Sequence, residues 1–198
     1  MKLIGGSQSP FVRRIAMVLE ALGLGYDQEV VRTDQDGERI RRYNPVGRVP
    51  VLVLDDERVI IDSHAILDYL ERRGPATPLF PQEEALRMRV LFADSVALAG
   101  MEKLVLWFYE KHRRDPALRC AATVGGYETQ MLEALRWLGA NCSPGAYLCG
   151  DELTLADITT TSLLNTMTAV AADLVQGLES AEARALASRV TPQLAAAR

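Results

Sequence analysis

The sequence predicts an α/β domain of order β-α-β-α-β-β-α, followed by an all-α helical bundle. Three observations carry this. The first eighty residues alternate short apolar runs with amphipathic helical repeats. A segment from Gly74 to Pro81 then holds three prolines and reads as a linker. No strand pattern follows it. A helix on each side of a small mixed sheet suits the first pattern, and a helix bundle suits the second. The chain thus divides into residues 1–74, a linker over 75–83 and a helical domain over 84–198.

Residues 2–5 read as a short strand. Val12, Ile15, Ala16, Leu19 and Leu22 recur at helical spacing and predict a helix over 10–24, stopped by Gly23 and Gly25. Residues 28–32 form a second strand, and a weak polar helix follows around 36–42. Val51–Leu54 and Arg58–Ile61 flank Asp55-Asp56-Glu57 in a hairpin pattern. Ser63 is then expected to cap a helix with Ile66, Leu67 and Leu70 on its apolar side. Beyond the linker, helices are predicted over 83–113, 116–139 and 155–171, with shorter ones over 179–189 and 192–197. Thr154 and Asp157 form a capping box for the 155–171 helix, and Leu153 with Ile158 can staple across it.

The 198 residues are 48% hydrophobic and 24% charged, with a net charge of −4. The basic residues gather into no stripe, so no nucleic-acid partner is expected. Lys111–Arg114 suits a helix C-terminus, where cations complement the dipole. No apolar run approaches a membrane span. The chain enters a strand pattern at Leu3, so no signal peptide is expected. Cys120, Cys142 and Cys149 share no metal-like spacing, and with only two histidines no metal site is expected. Free thiols fit a reducing cytoplasm.

Three short motifs carry the functional expectation. Ser9-Pro10-Phe11-Val12-Arg13 starts the first helix, with Pro10 at the first helical position and Ser9 before it. Ser9 can be no more than a cap. Its hydroxyl can also face an anion at the helix mouth, where free N–H groups and the dipole favour negative charge. Asn44-Pro45-Val46-Gly47-Arg48-Val49-Pro50 marks a turn that opens a strand, ordinarily with a trans proline. Asp62-Ser63-His64 starts another helix directly after a strand, giving a second anion-friendly mouth.

The order and spacing of these motifs resemble the glutathione transferase family. The segment Leu148-x-Gly150-Asp151-x-Leu153-Thr154-Leu155-Ala156-Asp157 resembles that family's helical-domain signature, and the proline-rich linker falls where the family has one. The Ser-Pro-Phe-Val-Arg start is closest to bacterial serine-type members. The resemblance implies a thioredoxin-like domain that binds glutathione and a helical domain that holds a small hydrophobic electrophile. It implies that Ser9 hydrogen-bonds the glutathione sulfur, with Phe11 beside it. Val49, extended before a cis Pro50, would pair its backbone with the cysteinyl unit. Asp62 and Ser63 would hold the γ-glutamyl end, and Arg48 would lie near the glycyl carboxylate. Gly100, Leu104, Trp107 and Phe108 are candidates for the electrophile pocket, although Trp107 and Phe108 fit a core or a dimer contact equally well.

The family implies a cytoplasmic homodimer active in detoxification. It conjugates glutathione to electrophiles or reduces peroxides with it. Position 9 is serine where a thiol-exchange enzyme needs a cysteine thiolate. Two alternatives stay open. One is a glutathione-dependent isomerase, whose Ser-Ser-Cys start Gln8-Ser9-Pro10 does not match. The other is a non-catalytic protein of the same fold that binds a protein partner.

Overall fold

The computed structural model describes residues 1–73, 78–141 and 147–176. The helices expected over 179–189 and 192–197 lie outside them, as does most of the linker's start. The described residues divide into two compact units, one within residues 1–79 and one within residues 80–176.

The first unit holds β1 (Lys2–Ile4), α1 (Pro10–Ala21), β2 (Asp27–Glu29), α2 (Gly37–Arg41), β3 (Val51–Val53), β4 (Val59–Ile61) and α3 (Ser63–Arg72). This is the expected order. The sheet runs β2-β1-β3-β4, with β1 parallel to β2 and the other pairs antiparallel. Side chains alternate across a strand, so Leu3 and Leu52 point away from Ile4 and Val51. Ile4 and Val51 share a cluster with Val31 and with Ile40 of α2. Helices α1 and α3 pack on each other, α1 also on β1 and α3 on β3 and β4. Helix α1 ends three residues early because Gly23 adopts φ +65°, a left-handed conformation that favours glycine. The β3–β4 hairpin closes through Leu54 N–H to Arg58 C=O.

The second unit begins with α4 (Glu84–Phe108), which continues into a π-helical turn over Tyr109–Arg113. Then come α5 (Ala121–Ala140), α6 (Leu155–Val170) and the short α7 (Ala172–Gln176). The predicted start of α5 at 116 is corrected. Pro116–Leu118 form only a 3₁₀ turn, and the chain then extends through Arg119 and Cys120. The cause is the buried Glu110, which pairs with Arg114 at 2.7 Å and accepts the Cys120 N–H at 3.0 Å. That N–H is thereby withheld from a helix begun at Pro116.

Helix α6 is buried along nearly its whole length and packs on α4. Its start bears out the capping box. The Asp157 carboxylate accepts from the Thr154 N–H (2.8 Å), the Thr154 hydroxyl (2.6 Å) and the Leu148 N–H (2.7 Å). Within the same interior, Thr159 donates to Asp94 at 2.5 Å. No described helix is long and apolar enough to cross a membrane.

Candidate active site

The strand register brings the three motifs to one edge of the sheet. Ile4, the last residue of β1, pairs with Val51, the first of β3. Val51 also pairs with Ile61, the last of β4. The connection to Ser9, the Val49–Pro50 segment and the Asp62–Ser63 start of α3 therefore leave the same end of the sheet.

Ser9 is the N-cap of α1, with Pro10 following it as expected, and its Oγ accepts the Val12 N–H at 3.4 Å. The Phe11 N–H takes no protein acceptor among the described residues. Gly5 makes room for this loop. It has φ +137°, and a Cβ there would lie 2.4 Å from Val12 Cγ2 and 3.1 Å from Val49 Cβ. The Ser9 loop and the Val49 segment approach each other across that glycine.

The Val49–Pro50 bond is cis. The turn before it is built around buried Asn44. That side chain donates to Arg48 C=O at 2.8 Å and accepts the Val46 N–H at 3.0 Å, tying both arms of the loop together. Gly47, at φ +70°, closes it. Val49's own N–H and C=O make no hydrogen bond among the described residues. They form an unused strand edge, ready for an extended peptide. Arg48 is exposed, and its guanidinium forms no ion pair among the described residues.

At the third motif the structure corrects the expected cap. The N-cap of α3 is Asp62, whose carboxylate accepts the His64 N–H at 2.8 Å. Ser63 is the first helical residue and turns inward, where its hydroxyl accepts from Arg14 Nη1 at 3.4 Å. Both residue types cap helices. Asp62 wins because its φ of +73° sets its carboxylate across the first turn. Its His64 neighbour adds a contact, Nδ1 to the same oxygen at 3.3 Å. The Ser63 N–H is left without an acceptor among the described residues.

Within the second unit, three of the four residues expected at an electrophile pocket serve internal packing. A Cβ on Gly100 would stand 2.8 Å from Leu163 of α6 and 3.2 Å from Ala134 of α5. Its lack of a side chain lets three helices close together. Leu104 is buried. Trp107 is 2% exposed, donates its indole N–H to Glu128 at 2.8 Å and lies under Lys111. Phe108 alone keeps a partly exposed ring, stacked on His112 at 4.9 Å.

All three cysteines lie outside residues 1–79. Burial pushes the Cys149 thiol up to about 11, away from reactivity. Among the described residues no group of His, Cys, Asp or Glu is arranged to hold a metal ion. Two open helix mouths and an unpaired strand edge instead suit a small extended peptide bearing negative charge.

The residue missed by sequence reasoning is Arg14, fully buried behind Ser63. Its signal was present. A cation sits on the same stripe of α1 as Pro10, Met17 and Val18, where periodicity calls for an apolar side chain.

The strand order and the helical second unit define a thioredoxin-like protein with an appended helical domain. A family model described as the N-terminal domain of glutathione S-transferase matches residues 8–73. The chain is 31% identical over 164 residues to glutathione S-transferase Z2 of Arabidopsis thaliana, covering 80% of this chain and 72% of that protein. It is 28% identical over 155 residues to a probable maleylacetoacetate isomerase of Caenorhabditis elegans, covering 76% and 70%. A glutathione S-transferase of Methylobacterium radiotolerans, crystallised with glutathione sulfonate, shares the fold. The TM-score is 0.89 at 22% identity, over 99% of this chain and 93% of that one.

The chain belongs to the glutathione S-transferase family. Membership makes it a transferase enzyme whose co-substrate is glutathione.

Proposed function

We propose that one glutathione lies along the shared sheet edge with its sulfur at Ser9. Val49 pairs its free N–H and C=O with the cysteinyl backbone, and Phe11 flanks it. Ser63 and Asp62 take the γ-glutamyl end, Ser63 the carboxylate and Asp62 the ammonium. Arg48 meets the glycyl carboxylate. The observation that carries this is the register Ile4–Val51–Ile61, which aligns all three motifs.

A free thiol has a pKa of about 8.5, so little of it is thiolate at pH 7. The Ser9 hydroxyl and the α1 dipole favour the charged sulfur. Ser9 acts as a donor and need not be a base. A shift of about two units is worth roughly 2.7 kcal/mol and makes thiolate the majority form. The thiolate attacks an electrophilic carbon and expels its leaving group, or it attacks a peroxide oxygen and breaks the O–O bond, releasing an alcohol or water and leaving a sulfenic acid that a second glutathione converts to the disulfide and water. The second substrate is a small hydrophobic electrophile. The setting is cytoplasmic and the role is detoxification. Glutathione is expected to raise the melting temperature in a concentration-dependent manner, and a flat melting curve over millimolar glutathione would refute the site.

Likeness to the Caenorhabditis elegans relative favours a second reading, isomerisation that uses glutathione catalytically. Glutathione-dependent turnover of maleylacetoacetate would select it.

The protein is proposed to act as a homodimer. Met88, Leu91 and Phe92 recur at one-turn spacing on α4, with Met88 60% and Phe92 59% exposed. Phe92 also stacks against Trp137 of α5 at 5.0 Å. Exposed apolar side chains grouped in this way mark an interaction surface. Sedimentation at twice the 21.8 kDa chain mass is expected, and a monomer at micromolar concentration would contradict it.

A further inference from the structure

Arg14 is 0% exposed, a placement that costs heavily for a guanidinium unless its donors are used. One of them, Nη1, reaches Ser63 Oγ at 3.4 Å, from α1 to α3. Guanidinium can only donate, whereas a hydroxyl has two acceptor lone pairs and a single hydrogen. Ser63 therefore accepts from Arg14, and its own O–H must point elsewhere. Ser63 is 3% exposed, so few directions remain. Its N–H stands at the open first turn of α3 without an acceptor among the described residues.

We infer that Arg14 is a positioning residue for substrate recognition. It fixes the Ser63 rotor so that the Ser63 O–H and N–H both donate to one carboxylate, the α-carboxylate of the γ-glutamyl group. The inference rests on the assignment of Ser63 to the γ-glutamyl end made above. It adds a residue that never touches glutathione yet selects for its carboxylate.

The test compares glutathione with γ-aminobutyryl-cysteinylglycine, which keeps the amine and the thiol but lacks the α-carboxylate. The readout is kcat/KM for each with 1-chloro-2,4-dinitrobenzene. Native enzyme is expected to prefer glutathione by at least about 100-fold, since even one donor on a charged group is worth about that much. Arg14→Gln is expected to shrink that preference about tenfold through a higher KM for glutathione, while the analogue loses less than about twofold. Arg14→Lys, which restores charge and a donor, recovers part of the preference. Equal losses with both thiols in Arg14→Gln would mean a purely structural role and overturn the inference. If Arg14→Gln does not fold, Arg14→Met, which fills the buried site and removes every donor, carries the test, and native preference in it overturns the assignment. Ser63→Ala separates the two levels. If it leaves the preference intact, the γ-glutamyl assignment itself falls. If it lowers the preference while folded Arg14→Gln does not, only the role of Arg14 falls.

Discussion

Ser9→Ala is expected to cut turnover of 1-chloro-2,4-dinitrobenzene about 10- to 100-fold, with KM for glutathione changed by less than about threefold. The hydroxyl's bond to sulfur is strong only when the sulfur is charged. A hydrogen bond to a charged group is worth about 1.5–3 kcal/mol, and this one is gained on ionisation rather than on binding. The limb of the pH profile that rises with thiol ionisation should move up by about one to two units. The same change removes an N-cap, worth about 0.5–2 kcal/mol. That loss leaves the fold intact, since the Val12 bond is long at 3.4 Å and Pro10, Val12 and Ile15 stay buried in α1. Ser9→Thr, which keeps a hydroxyl, should retain most of the activity. Steady-state kinetics across pH, alongside a melting curve for each variant, check both statements.

Asp157→Ala is expected to be the most damaging single change to stability. The carboxylate accepts three hydrogen bonds within 2.8 Å, from two backbone N–H groups and one hydroxyl, at the head of the most buried helix. Burial holds its carboxyl above the ordinary carboxylate range, and those three donors offset only part of that rise. Alanine strands the Leu148 and Thr154 N–H groups inside the protein, at about 1–3 kcal/mol each. The expected loss is about 3–5 kcal/mol, and the melting temperature should fall by about 6–15 °C. Asp157→Asn keeps one acceptor oxygen and should recover roughly half. Thermal denaturation followed by circular dichroism distinguishes them, and a fall below about 2 °C for alanine would show that the box is dispensable.

Most of the first unit was legible because its signals are local. The Gly23 stop, the Pro10 start and the hairpin around Asp55–Glu57 each depend on residues a few positions apart. The capping box at Thr154 and Asp157 is local too, and it was read correctly. What failed depended on distant partners. Asp62 and Ser63 are both competent caps, and the choice between them turned on a positive φ and on Arg14, 49 positions from Ser63. The start of α5 moved because Glu110 takes the Cys120 N–H from ten residues away.

Gly100 and Trp107 illustrate another limit. Helical periodicity says that a face is buried but not against what. In α4 that face meets α5 and α6, and Gly100, Leu104 and Trp107 pack there. The active-site edge stands between these cases. Each motif is visible alone, the family resemblance groups them around one tripeptide, and the pairing of Ile4, Val51 and Ile61 brings them to one end of the sheet.

The central claim is that this edge ionises a bound thiol through Ser9. The ultraviolet thiolate absorbance of enzyme-bound glutathione, titrated with pH, tests it most directly. The predicted midpoint is about 6.5, moving to about 8 in Ser9→Ala. A midpoint that stays near the free value of about 8.5 in the native protein, or that Ser9→Ala leaves unmoved, would contradict it.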